Sequence, residues 1–87
     1  MYVILVYDCG EKRVTKMLKL CRRYLNWIQN SVFEGELTEV KLKELKLKSS
    51  TIMDNLEDSL IIFTSRQNNW LSKEIIGKER GSIDNFI

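Results

Sequence analysis

The segment Tyr2-Val3-Ile4-Leu5-Val6-Tyr7 constrains this chain more than any other. It is rich in β-branched and aromatic side chains, so it predicts a β-strand. Successive side chains of a strand point to opposite faces, and a strand buried on one side alternates apolar with polar residues. This segment does not alternate. It therefore predicts a central strand covered on both faces. It is far short of the roughly 20 residues that a membrane-spanning helix needs. The run ends at Asp8-Cys9-Gly10.

Periodicity then changes. Val14, Met17, Leu18, Cys21 and Leu25 recur at helical spacing and predict a helix from about Glu11 to Tyr24. Its other face carries Lys12, Arg13, Lys16, Lys19, Arg22 and Arg23, and Asp8 and Glu11 are the only acids before residue 26. Between Leu25 and Leu37 lie Trp27, Ile28, Val32 and Phe33, interrupted by Asn30 and Gly35, which predicts two short strands or one kinked strand. Thr38 is placed to cap a second helix from Glu39 to about Asp54. Leu42, Leu45, Ser49, Ile52, Met53 and Leu56 fit that helix. Val40 to Lys43 and Leu45 to Lys48 alternate like strands, but length and good helix formers favour the helix. Asn55 to Asp58 reads as a turn, Ser59 to Thr64 as a strand, and Arg66 to Asn69 as a polar turn. Trp70 to Ile76 reads as a last short strand, followed by a polar tail that ends in Phe86-Ile87.

The order strand–helix–strand–strand–helix–strand is that of the ferredoxin-like split unit, an α+β fold, with residues 1–87 as one domain. In that unit both helices lie on one face of the sheet. Two helices cannot also cover the second apolar face of the first and fourth strands. A second copy packed sheet to sheet is the simplest cover, so a homodimer is expected.

Histidine is absent, which removes imidazole as base, nucleophile or metal ligand. Cys9 and Cys21 are too few and too far apart for a zinc site. No signal peptide is evident, and the expectation is a soluble, cytoplasmic protein without a membrane partner. Net charge is only +2, so the distribution of charge matters more than its sum. The basic face of the first helix is a local stripe able to hold a phosphate backbone without reading sequence, or simply a solvated face. Lys41, Lys43, Lys46 and Lys48, against Glu39 and Glu44, add modestly to it.

Asp8 has two readings. Asp8-Cys9-Gly10-Glu11 fits a capping box, and spacing alone favours that role. A carboxylate at the end of a strand also faces a site in many folds. One carboxylate makes a poor magnesium site, but a two-fold axis beside it would add a second from the partner chain. Tyr7, Trp27, Phe33 and Trp70 offer rings for base stacking, although aromatics in strands more often belong to a core or interface. Ser31 lacks a histidine base. Cys9 has no evident activator and reads as a packing residue.

Beyond these patterns, Tyr2 to Asp8, the basic helix and Trp27-Ile28-Gln29-Asn30-Ser31-Val32-Phe33-Glu34-Gly35-Glu36-Leu37 closely resemble the CRISPR-associated Cas2 proteins. Gln29-x-Ser31-Val32-Phe33-Glu34-Gly35 carries most of the specificity. Asp58-Ser59-Leu60-Ile61-Ile62 and the tail from Gly77 continue the likeness, which covers nearly the whole chain. The tail is most similar to members from type I-B systems.

The resemblance implies a ferredoxin-like homodimer in which Asp8, one per protomer, holds Mg2+ or another divalent cation for phosphodiester hydrolysis of RNA or double-stranded DNA. It also implies a role as the dimeric core of the spacer-acquisition complex, bridging CRISPR integrase dimers. The alternative is a non-catalytic scaffold that only holds DNA and integrase. Under the resemblance Lys12, Arg13, Lys16, Arg22 and Arg23 are expected to contact nucleic acid. Tyr7, Ser31 and Phe33 are expected to be structural, holding the strand against the partner, and residues 70–87 to contact a partner chain. Many relatives carry arginine where this chain has Trp27.

Overall fold

In the computed structural model the opening apolar segment becomes β1 (Tyr2–Asp8). It is followed by α1 (Glu11–Arg22), β2 (Asn26–Gln29), β3 (Val32–Glu36), α2 (Glu39–Ile52), β4 (Ser59–Ser65) and β5 (Ser72–Gly77). The structure describes residues 1–66 and 72–78. Trp70, most of the predicted polar turn before it and the tail beyond Lys78 lie outside the described residues. The strands form one antiparallel sheet in the order β2-β3-β1-β4-β5. This is the ferredoxin-like arrangement with β5 added at one edge, so the predicted α+β fold is observed. β5 pairs with β4 of its own chain, Leu60 opposite Ile76 and Ile61 opposite Ile75.

Alternation along β1 sorts its side chains. Val3, Leu5 and Tyr7 are buried with Leu60 and Ile62 of β4 and with Met17, Leu20, Cys21, Leu42 and Leu45 of the two helices. Phe33 joins them, fully buried, and stacks on Tyr7 with ring centroids 6.0 Å apart. Both rings therefore belong to the protomer's own core, on the helix side of the sheet, where no base can reach them. Ile61 and Phe63 build a separate cluster with Ile4 and Ile75. The second face is thus apolar as expected, but narrower. Ile61 is only 7% exposed and Phe63 only 4% exposed within the single chain, leaving Ile4 and Val6 half-buried.

Local signals decide the element ends. The Thr38 hydroxyl accepts from the Lys41 amide at 3.1 Å, the expected cap of α2. α1 stops at Arg22 rather than Tyr24, because the amides of Arg23, Tyr24 and Leu25 fold back onto the carbonyls of Leu20 and Cys21. β2 and β3 are two strands, joined at Asn30, whose φ is 45°, with a bulge between Trp27 and Gln29. At the end of β5, Gly77 has φ 97°, and a β-carbon there would run into the Asp58 carbonyl, so any larger residue collides.

Candidate active site

Asp8 is the last residue of β1 and is exposed. By strand alternation it belongs with Ile4 and Val6, on the face turned away from the helices. Its partner in the ladder is Ser59 of β4. Tyr7, Asp8, Cys9, Val14, Asn30 and Ser31 line an open recess of about 280 Å³ at this end of the sheet. Ser31 is positioned there by its carbonyl, which accepts from the Tyr7 amide at 3.2 Å.

The capping reading of Asp8 fails. The N-cap of α1 is Gly10, with no side-chain cap. A different carboxylate anchors this helix start. Asp58 is fully buried and accepts from the Gly10 amide (2.9 Å), the Asp54 amide (2.9 Å) and the Arg13 guanidinium (2.5 and 3.0 Å). Arg13 also reaches Glu57 at 3.1 Å. The paired guanidinium, helped by the two amides, holds the Asp58 carboxyl down at about 2. Its own pKa is driven up in return, chiefly by the hydrogen bond to Asp58. This pair ties the β1–α1 loop, which follows Asp8, to the turn before β4. An acid buried this way was not singled out from the sequence; its spacing of 45 residues from Arg13 carries no local signal.

The other site candidates separate clearly. Lys12, Lys16 and Arg22 are exposed on α1 and Arg23 just past its end, whereas Arg13 is committed to Asp58 and Glu57. Burial pushes the Tyr7 hydroxyl up to about 12 and the Cys21 thiol to about 12. Burial, and then the Asp58 charge, pushes the Cys9 thiol to about 11, so neither cysteine is an activated nucleophile.

The donor set bears on a metal. Among the described residues no group of three histidine, cysteine or acidic side chains converges. Asp8 supplies one hard oxygen ligand, which suits a magnesium-like ion only as half of a site, the remainder being water, phosphate or a second carboxylate. No helix among the described residues is long and apolar enough to cross a membrane.

Comparison with known proteins converges on one family. The sequence profile described as CRISPR associated protein Cas2 matches residues 1–73. The chain is 48% identical over its full length to a protein of Thermotoga maritima named CRISPR-associated endoribonuclease Cas2, covering 99% of that protein. It is 45% identical to the protein of the same name from Fusobacterium nucleatum, covering all of this chain and 87% of the relative. Among solved structures, Streptococcus pyogenes Cas2 superposes with a TM-score of 0.71 at 32% identity, covering 80% of this chain and 90% of that one. A crystal structure described only as cas2 gives 0.75 at 40% identity, covering 93% and 91%.

Proposed function

Since the chain belongs to the CRISPR-associated Cas2 family, we propose that it is a metal-dependent endonuclease acting as a homodimer, with Asp8 of each protomer at the shared site. The observation that carries this reading is the placement of Asp8. It stands exposed at the end of the central strand, on the same face as the half-buried Ile4 and Val6. A partner copy covering that apolar face across a two-fold axis brings a second Asp8 toward the first. Two carboxylates then face each other, which is the ligand count a magnesium-like cation accepts. Bound there, such a cation supplies charge neutralisation for a phosphodiester undergoing hydrolysis.

The chain's own residues supply the rest. Lys12, Lys16 and Arg22 on α1, with Arg23 just past its end, hold a phosphate backbone without reading its sequence. The Asp58–Arg13 pair positions the loop after Asp8. Ser31 shapes the wall of the recess through its backbone bond to Tyr7. The relatives named endoribonuclease point to RNA as a substrate, with double-stranded DNA as the other candidate. In the cell, the dimer forms the centre of the spacer-acquisition complex and bridges integrase dimers in the cytoplasm.

One observation favours a second reading, a scaffold without catalysis. Asp8 is the one carboxylate among the residues lining the recess, and among the described residues no group of three possible ligands converges. Asp8→Asn separates the two. Under the nuclease reading it abolishes magnesium-dependent cleavage of RNA and DNA, matching wild type with a chelator. If Asp8→Asn protein cleaves as well as wild type, the site is wrongly placed. If it fails to cleave yet supports full spacer acquisition, the scaffold is the cellular function.

A further inference from the structure

Away from Asp8, the corner where α1 runs into β2 gathers aromatic and cationic side chains. Trp27 is a large apolar residue left half exposed, at 50%, on the edge strand. It is held, not loose. Its indole N–H donates to the Asn30 carbonyl at 2.8 Å, and the Arg22 guanidinium lies over its ring, 5.6 Å from the centroid. Directly after Arg22 in the chain, Arg23 and Tyr24 join Leu37, Lys41, Glu44 and Lys48 in lining an open cleft of about 390 Å³ between the helices. Lys48 lies 5.5 Å from the Tyr24 ring centroid. Glu44 answers Lys41 at 3.3 Å and Lys48 at 4.0 Å, so two of the cleft's three cations share its one carboxylate, and Arg22 adds a further positive charge at Trp27.

We infer that this corner binds single-stranded nucleic acid, with an unpaired base stacked on Trp27 and the adjoining phosphates held by Arg22, Arg23 and the cleft. An exposed ring fixed at its N–H is a pre-organised platform, and any base has a face to offer it. The neighbouring cations suit a polyanion and suit an apolar protein surface poorly. A duplex keeps its bases stacked on each other and cannot use the ring. The inference rests on the reading that the chain handles nucleic acid, but not on Asp8 being catalytic.

The test uses the Trp70→Phe chain, in which Trp27 is the only tryptophan of the original two. A short oligouridylate, the matching oligothymidylate, an abasic backbone of equal length and a duplex are titrated while tryptophan emission is followed. Both single strands should quench Trp27, and the abasic strand and duplex should not. In the otherwise native chain, Trp27→Ala should weaken single-strand binding by about 10-fold or more and leave duplex binding within about twofold, while Trp27→Phe keeps most of the affinity. Preference for one sugar over the other identifies the natural strand and supports the platform equally. Three results overturn it. Trp27→Ala, still folded by circular dichroism, binds single strands like wild type while other cation variants weaken binding; then nucleic acid binds elsewhere. Wild type binds no nucleic acid at all; then the underlying reading falls too. Trp27→Ala dissociates an oligomer and Trp27 emission ignores every oligonucleotide; then the ring is a protein contact.

Discussion

Asp58→Asn tests whether a buried carboxylate, rather than Asp8, anchors the start of α1. The native carboxyl sits at about 2 instead of 3.8. At about 1.36 kcal/mol per pH unit, that difference is roughly 2 kcal/mol of stability near neutral pH. Asparagine keeps the shape but has one acceptor oxygen for the donors from Gly10, Asp54 and Arg13, and its amide N–H groups face the guanidinium. In a domain of this size the loss lowers the melting temperature by about 10–20 °C. The sign with pH follows from a depressed carboxyl. The stabilisation is complete above the unfolded value of 3.8 and fades as pH falls toward the folded value of about 2. Urea unfolding of both proteins, at one fixed protein concentration, should therefore show a constant gap from neutral pH down to about pH 5. The gap should fall to roughly half of that near pH 3. A gap below about 0.5 kcal/mol at neutral pH, the size of an ordinary surface change, refutes the anchor. So does a gap that stays the same at low pH, since a charge-independent packing defect would do that.

Other outcomes follow from packing and burial. Phe33→Ala, which empties a fully buried site stacked on Tyr7, should cost about 3–5 kcal/mol in denaturant unfolding; a cost near that of a surface residue would place the ring at an interface instead. With thiols at about 11 and about 12, Cys9 and Cys21 should be alkylated at pH 8 about 100-fold and 1000-fold more slowly in the native protein than in urea, as mass spectrometry would read. The Ser59 hydroxyl is buried with no hydrogen-bond partner among the described residues. Ser59→Ala should therefore leave the melting temperature unchanged or raise it by a few degrees, and a marked drop would reveal a partner for that hydroxyl.

The local parts of this protein were legible in its sequence because their physics is local. Side-chain periods separate strands from helices within a few residues, and the Thr38 cap needs only the amide three residues on. The order of the elements then leaves few topologies, so the ferredoxin-like sheet and the position of Asp8 at the end of its central strand could be anticipated. The match of Gln29 to Gly35 to a family signature pointed to nuclease chemistry where spacing by itself favoured a cap.

Tertiary structure decided what each residue touches. Alternation shows that β1 has two apolar faces but not which one meets the helices. Only the packed sheet puts Tyr7 and Phe33 inside the protomer and leaves Ile4 and Val6 half-buried on the face shared with Asp8. The Arg13–Asp58 pair forms between groups 45 residues apart. Its strength comes from desolvation and convergent donors that exist only once β1, α1 and the turn before β4 have come together. The same assembly removes Arg13 from the basic stripe that its helical spacing suggested, and gives the anchoring role expected of Asp8 to Asp58. Asp8 is left at the surface, where a metal and a second chain can reach it.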